Sequence, residues 1–261
     1  MQALLTVIQT EMYKARKAKA LWITAALFTI VPVVSSFFMY VLNNPELAEA
    51  SGLLGAKAQI AGEASWSAFL MILSQMIAVG GIIVYGFVIA WIFGREYADR
   101  TIKDLLALPF SRSIVVYGKF LTGLLIHVYL SGYIILLGFI LGFAIRLPGW
   151  NEMLASGSMF TLGIITFFII ILSTPAAFFA SIGRGYLAAL GFIIVILIVS
   201  QLITVLGYGD YFPWAIPALM GGIDGAEAIQ LTAFHWGMIL IVSSLGVGLT
   251  VYEWNFSDYK L

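Results

Sequence analysis

Six stretches of this chain are each apolar for long enough to cross a lipid bilayer, and that property removes most folds from consideration. A hydrocarbon core about 30 Å thick is spanned by about 20 apolar residues in a helix. Inside lipid every backbone N–H and C=O must find its partner within the protein, which a helix achieves residue by residue. The runs lie at about 20–42, 67–93, 118–145, 158–183, 186–206 and 232–252. Charged residues are only 10% of the chain and mean hydropathy is +1.03, where soluble domains carry roughly a quarter charged residues. The expected fold is therefore all-α integral membrane, one domain over 1–261 with six transmembrane helices, whose second and third runs are long enough to tilt or project beyond the bilayer.

Orientation is read from Lys and Arg. With these spans, Lys14, Arg16, Lys17, Lys19, Arg95, Arg100, Lys103, Arg112, Lys119, Arg184 and Lys260 fall on one side, and only Lys57 and Arg146 on the other. The rule places both termini in the cytoplasm, and the cell membrane is the default address. The start of the chain does not read as a cleavable signal, because charge follows its first apolar stretch. All seven tryptophans fall near span ends, where indole rings favour the headgroup level.

Residues 1–19 form a separate element. Leu4, Leu5, Ile8, Met12 and Ala15 share one helical face, and Gln2, Gln9, Tyr13, Lys14, Arg16 and Lys17 occupy the rest, with Glu11 spoiling the apolar edge. An interfacial helix along the inner leaflet and a basic flank that only sets topology are both open readings. At the other end of the chain, 207–230 is aromatic, broken by Pro and Gly, and too apolar for a solvated loop. A re-entrant segment before the last span is expected, with Tyr211, Phe212, Pro213 and Trp214 as candidates for an extracellular gate.

Several chemistries are missing from the pattern. No Asp or Glu falls in the middle of a span, whereas ion-coupled pumps are marked by such residues. His127 is the one ionisable candidate inside a span, and a lone histidine there reads as a hydrogen-bonded packing residue before a proton carrier. Gln75 and Gln201 read as interhelical glue or as polar points on a pathway. With no cysteine, no HExxH and no serine beside a plausible base, neither a catalytic site nor a metal site is expected. A phosphate-binding G-x-x-x-x-G-K-[ST] loop is also missing. Small-residue pairs, Gly138 with Gly142 and Ser244 with Gly248, would serve packing within the chain or dimerisation.

Between the second and third spans, at 94–117, lies a compact polar stretch, EYADRTIKDLLALPFSR from Glu96 to Arg112. Thr101 and Asp104 have capping-box spacing, and Pro109 ends the helix they open. Ile102, Leu105, Leu106 and Pro109 repeat at i, i+3, i+4, i+7. So short a helix is marginal in water and needs a partner for its apolar stripe. The mixed charges of Glu96, Asp99, Arg100, Lys103 and Asp104 favour a protein groove over anionic lipid.

The sequence FGREYADRTIKDLLALPFSRSIVVYGKF resembles the cytoplasmic-loop signature of ABC-2-type transporter permeases, in particular bacitracin and peptide-antibiotic exporters. The frame is Glu96, Arg100-Thr101, Leu105-Leu106, Pro109, Ser111-Arg112 and Lys119, with Arg100 where many members have glycine. The resemblance implies a type V exporter-like permease whose loop helix couples to a separate nucleotide-binding ATPase. Ile102, Leu105 and Leu106 would then be docking knobs, and Glu96, Asp99, Arg100 and Arg112 rim charges. Mg-ATP would be bound by the partner subunit, and this chain would carry no cofactor. A second permease copy or a paralogue would complete the pathway, with membrane lipids around it and no nucleic acid involved. The implied function is export of an amphiphile such as a peptide antibiotic or drug. The alternatives are an ATPase-coupled scaffold or mechanotransmitter that moves no cargo, and an ion-driven secondary transporter.

Overall fold

The computed structural model describes residues 2–44, 64–107, 109, 111–222 and 229–257, together with the backbone but not the side chains of Leu106, Leu154 and Ala155. Lys57 and Lys260, used above for orientation, lie outside the described residues, as does 223–228 of the re-entrant segment.

Helix α1 (Gln2–Lys17) leads through a tight joint into α2 (Lys19–Phe28) and α3 (Ile30–Leu42), which together make the first span. The second and third spans are α4 (Trp66–Ala98) and α6 (Arg112–Ala144), with the short α5 (Ile102–Leu106) between them. At 33 residues each, α4 and α6 are about 50 Å long, well beyond a hydrocarbon core. The helices accordingly continue into the segment expected as loop, and only 99–111 separates them. Helix α7 (Glu152–Leu172) is broken from α8 (Pro175–Ile182) at Pro175, which takes a first-turn position where its missing N–H costs nothing. Helix α9 (Tyr186–Val205) is the fifth span and α11 (Ala233–Phe256) the sixth. Between them a 3₁₀ turn (Gly209–Tyr211) and α10 (Ile216–Met220) fold back into the bundle.

Polar side chains placed at span entrances start these helices. Ser65 accepts from the Ala68 amide at α4, Ser111 from Ile114 at α6 and Asn151 from Met153 at α7, satisfying amides that have no intrahelical acceptor. Thr232 and His235 form a reciprocal box at α11. Chain reversals follow one pattern at the other ends. Thr101 N–H bonds Glu96 O and Arg100 N–H bonds Tyr97 O, with Arg100 at φ 59°. The same pair of bonds surrounds Arg146 (φ 55°) and Arg184 (φ 49°). These are Schellman terminations with arginine in the left-handed position that glycine usually occupies.

Helix α4 is the axis of the molecule. Its buried side chains, among them Phe69, Leu73, Ile77, Tyr85, Ile89 and Phe93, run along its length and meet α3, α6, α7, α8, α9 and α10. Both Gly138 and Gly142 of α6 face this axis, and a Cβ there would come within 2.7 Å of Leu73 and 2.5 Å of Trp66. The first small pair therefore serves packing within the chain. A Cβ at Gly248 meets nothing within 4 Å, leaving that face of α11 open.

Two tryptophans depart from the belt reading. Trp66 is buried among Phe69, Phe139, Phe143 and Trp150, and buried Trp254 donates through Nε1 to Ser181 Oγ at 2.8 Å. Proximity to a span end does not separate a lipid-facing indole from one turned into the bundle. Helix α1 meets α6, and the end of α11 meets the start of α6, so both described chain ends lie on the face that carries α5.

Candidate functional site

At that face three helices converge on a buried ionic cluster. Lys119 lies in the second turn of α6, Arg95 and Glu96 in the last turn of α4, and Glu11 and Lys14 on α1. Lys119 is 0% exposed, and its three ammonium hydrogens have three acceptors: Glu11 Oε2 at 3.0 Å, Glu96 Oε1 at 3.0 Å and the Ile92 carbonyl at 3.1 Å. Arg95 Nη2 donates to Glu11 Oε2 at 2.6 Å, and its guanidinium lies over the Trp91 ring at 4.4 Å. The Arg95 Nε is 3.4 Å from Glu96 Oε1 but is not aligned for a hydrogen bond. Lys14 bridges both carboxylates, 3.2 Å from Glu11 and 3.1 Å from Glu96.

Glu11 and Glu96 are each 2% exposed. Burying a carboxylate costs several kcal/mol unless cations and hydrogen bonds compensate. Burial alone pushes the Glu11 carboxyl up, but the Lys119, Arg95 and Lys14 charges together outweigh it and hold it below its ordinary 4.5. The face of α1 that packs inward is thus Val7, Glu11 and Ala15, and Leu5 of the expected apolar face is exposed. Glu11 is the centre of the contact, not a blemish on it. Contact is close: a Cβ on Gly118 of α6 would come within 2.4 Å of Val7 Cγ1, so only glycine lets α1 approach Lys119.

The cluster also holds the loop. Thr101 Oγ1 donates to Glu96 Oε2 at 2.5 Å. This replaces the expected capping box with Asp104, for the Thr101 side chain makes no cap bond and Asp104 is exposed. Glu96 therefore does not stand at the rim of a docking surface; both its oxygens are engaged within the chain. Ile102, expected as a docking knob, is 1% exposed in the protein's own core, and Leu105 is half-buried against it. The Leu106 side chain lies outside the described residues. A five-residue helix beside an apolar bundle buries its stripe there first. Outward stand Asp99, Arg100, Lys103, Asp104, Ala107, Pro109 and Ser111. Arg112 is turned toward the end of α11, where Nη1 donates to the Trp254 carbonyl at 3.0 Å.

The other candidates separate by location. His127 is buried in α6, its Nε2 3.1 Å from the Tyr85 carbonyl and its ring 4.6 Å from that tyrosine's. Tyr85 Oη and Ser131 Oγ are 2.6 Å apart, and Ser131 Oγ donates to the His127 carbonyl. These bonds fasten α4 to α6. His127 also lines an apolar groove of about 630 Å³ that reaches Leu4, Tyr117, Ile170 and Val247. Gln75 is half-buried, with its backbone against Gly221. Gln201 is exposed on α9. In the re-entrant segment Pro213 is buried, Tyr211 exposed, and Trp214 Nε1 donates to the Leu172 carbonyl at 3.2 Å, at the break between α7 and α8.

Residues 7–200 match the ABC-2 family transporter protein family. The chain belongs to that family. It is similar to the bacitracin transport permease protein BCRB of Bacillus licheniformis, with 29% identity over 145 residues, 52% of this chain and 65% of the relative. The matched stretch is thus just under two thirds of that relative's length. Six apolar helices and this membership make the chain a multi-pass membrane protein.

Sequence reasoning found Glu96 and Lys119 through the family frame but gave Glu96 the wrong neighbours and Lys119 no role. It read Glu11 as an irregularity. The available signal was spacing: Val7, Glu11, Lys14 and Ala15 recur at helical intervals, so a carboxylate flanked by small and apolar residues marks the inward face.

Proposed function

We propose that this chain is the membrane permease subunit of an ATP-driven exporter, with both termini in the cytoplasm and ATP hydrolysis supplied by a separate nucleotide-binding subunit. Family membership supports the permease assignment. The observation that carries the coupling is the fixing of α5: Ile102 and Leu105 pack into the core and Thr101 is held by Glu96 of α4, which Lys119 and Lys14 tie to α6 and α1, while the outer face of α5 is exposed. A force applied to Lys103, Asp104, Ala107 and Pro109 then moves two spans and the first helix together. Docking uses this outer face, and Ile102 transmits instead of contacting the partner.

The cargo is an amphiphile such as a peptide antibiotic or drug. The bacitracin permease relative and the apolar, aromatic-edged groove beside His127 support this. His127 is committed to the Tyr85 carbonyl, which counts against an ion-driven carrier. A second copy or a paralogue completes the pathway. Gln201 stands exposed on a span that otherwise shows lipid-compatible side chains, and a partner helix would give its amide hydrogen-bonding groups that lipid lacks.

The test is copurification with the ATPase subunit, followed by ATP-dependent transport into sealed vesicles. The double reversal Lys103→Glu, Asp104→Lys is expected to abolish copurification without changing thermal stability. Undiminished copurification would show that the outer face is not the docking surface. Hydrolysis without movement of any amphiphile would favour the scaffold alternative.

A further inference from the structure

A second concavity opens on the far side of α6 from the His127 groove. Met12, Ala15 and Arg16 of α1, Leu21, Trp22 and Ala25 of α2, and Leu125, Ile126, Tyr129 and Leu130 of α6 enclose about 420 Å³. Its walls are largely apolar and it opens sideways, where Trp22, Leu125 and Tyr129 of its lining are exposed. This is the outer surface of the bundle at the level where the first span begins. Trp22 Nε1 donates to the Arg16 carbonyl at 2.9 Å, which fixes the joint between α1 and α2 and holds Arg16 at one end of the groove.

The charge at that end is uncompensated. Among the described residues no carboxylate lies within ion-pair distance of Arg16, Lys17 or Lys19. The one acid of α1, Glu11, is already taken by Lys14, Arg95 and Lys119. Lys17 lies over the Tyr13 ring, 4.4 Å from its centroid. A lateral apolar slot with an unneutralised guanidinium at the headgroup level matches a molecule with an anionic head and a hydrocarbon tail. A protein segment would have to present an acid at the membrane surface, and unless helical it would leave backbone polar groups facing lipid, which is unfavourable.

We propose that this groove binds one anionic glycerophospholipid, its phosphate on Arg16 and one acyl chain between Leu21, Ala25 and Leu125. The site is separate from the coupling face, and its existence does not depend on an ATPase partner. Occupied, it anchors the joint from which α1 reaches back to the ionic cluster.

Native mass spectrometry of the purified chain, titrated with phosphatidylglycerol or phosphatidylcholine of equal chain length, tests it. One cation near the surface contributes about 1 kcal/mol toward an anionic lipid, or about fivefold. The wild type should retain one phosphatidylglycerol with about that preference. Arg16→Gln should erase the preference, Lys17→Gln should keep it, and Ala25→Trp, which fills the slot, should lower retention of both lipids. Equal retention of the two lipids by the wild type would overturn the proposal. So would a preference that survives Arg16→Gln, or displacement by soluble glycerol phosphate as effective as by the lipid. Unchanged melting temperatures for Arg16→Gln and Ala25→Trp separate loss of the site from loss of the fold.

Discussion

Glu11 shows how one residue joins local pattern to tertiary structure. Removing its charge leaves Lys119 and Arg95 with fewer acceptors in a buried place, and breaking such a set typically costs about 3–5 kcal/mol. Glu11→Gln should therefore lower the melting temperature strongly, and Lys119→Met likewise. Because both act through one contact, the double variant should lose clearly less than the sum. The pH dependence has a definite sign. Glu11 titrates below 4.5 when folded, so the unfolded chain takes up the proton first as pH falls. Its stabilisation is complete above about pH 4.5 and disappears as pH drops through the folded value. The difference in melting temperature between wild type and Glu11→Gln should be flat from pH 8 to pH 5 and shrink below pH 4.5. At Arg100 the left-handed backbone (φ 59°) costs a side-chain-bearing residue about 1 kcal/mol, partly offset by a cation at a helix C-terminus. Arg100→Gly should raise stability by up to about 1 kcal/mol in a denaturant titration, and Arg100→Val should lower it.

At the scale of elements, the spans were legible because a bilayer leaves no choice about backbone pairing, and apolar length alone then marks the helices. Their internal breaks were less so. Each break has a proline behind it: Pro175 opens α8, and Pro32, three residues past the Thr29 joint, has no N–H to offer the Phe28 carbonyl four residues back. The loop helix was legible as an amphipathic turn, but periodicity reports only that a stripe exists, not what covers it. Ile102 settles the matter in favour of the chain's own bundle. Truncating a core aliphatic residue costs about 2–5 kcal/mol, so Ile102→Ala should destabilise the protein itself. Reversal of Lys103 and Asp104 should leave the melting temperature unchanged. A stable Ile102→Ala variant that lost only copurification with the proposed ATPase subunit would restore the original docking assignment.

At the scale of the whole molecule, the ion cluster was out of reach of the sequence because its members are 84 and 108 positions apart. Each alone reads as an ordinary flank charge. Assembly is approachable because the chain has no cysteine. If α9 meets a second copy, Gln201→Cys should form a disulfide-linked dimer on mild oxidation in membranes, while Ser200→Cys, at a buried position, should not. Monomer from both variants would place the pairing surface on another helix.

The order of synthesis adds a consequence. Glu11 leaves the ribosome long before Arg95 and Lys119 exist, yet in the finished protein it is their shared counter-ion. The leading helix must therefore wait at the membrane and swing home only after the third span has been threaded. Until it does, Arg95 and Lys119 have to share the single carboxylate of Glu96.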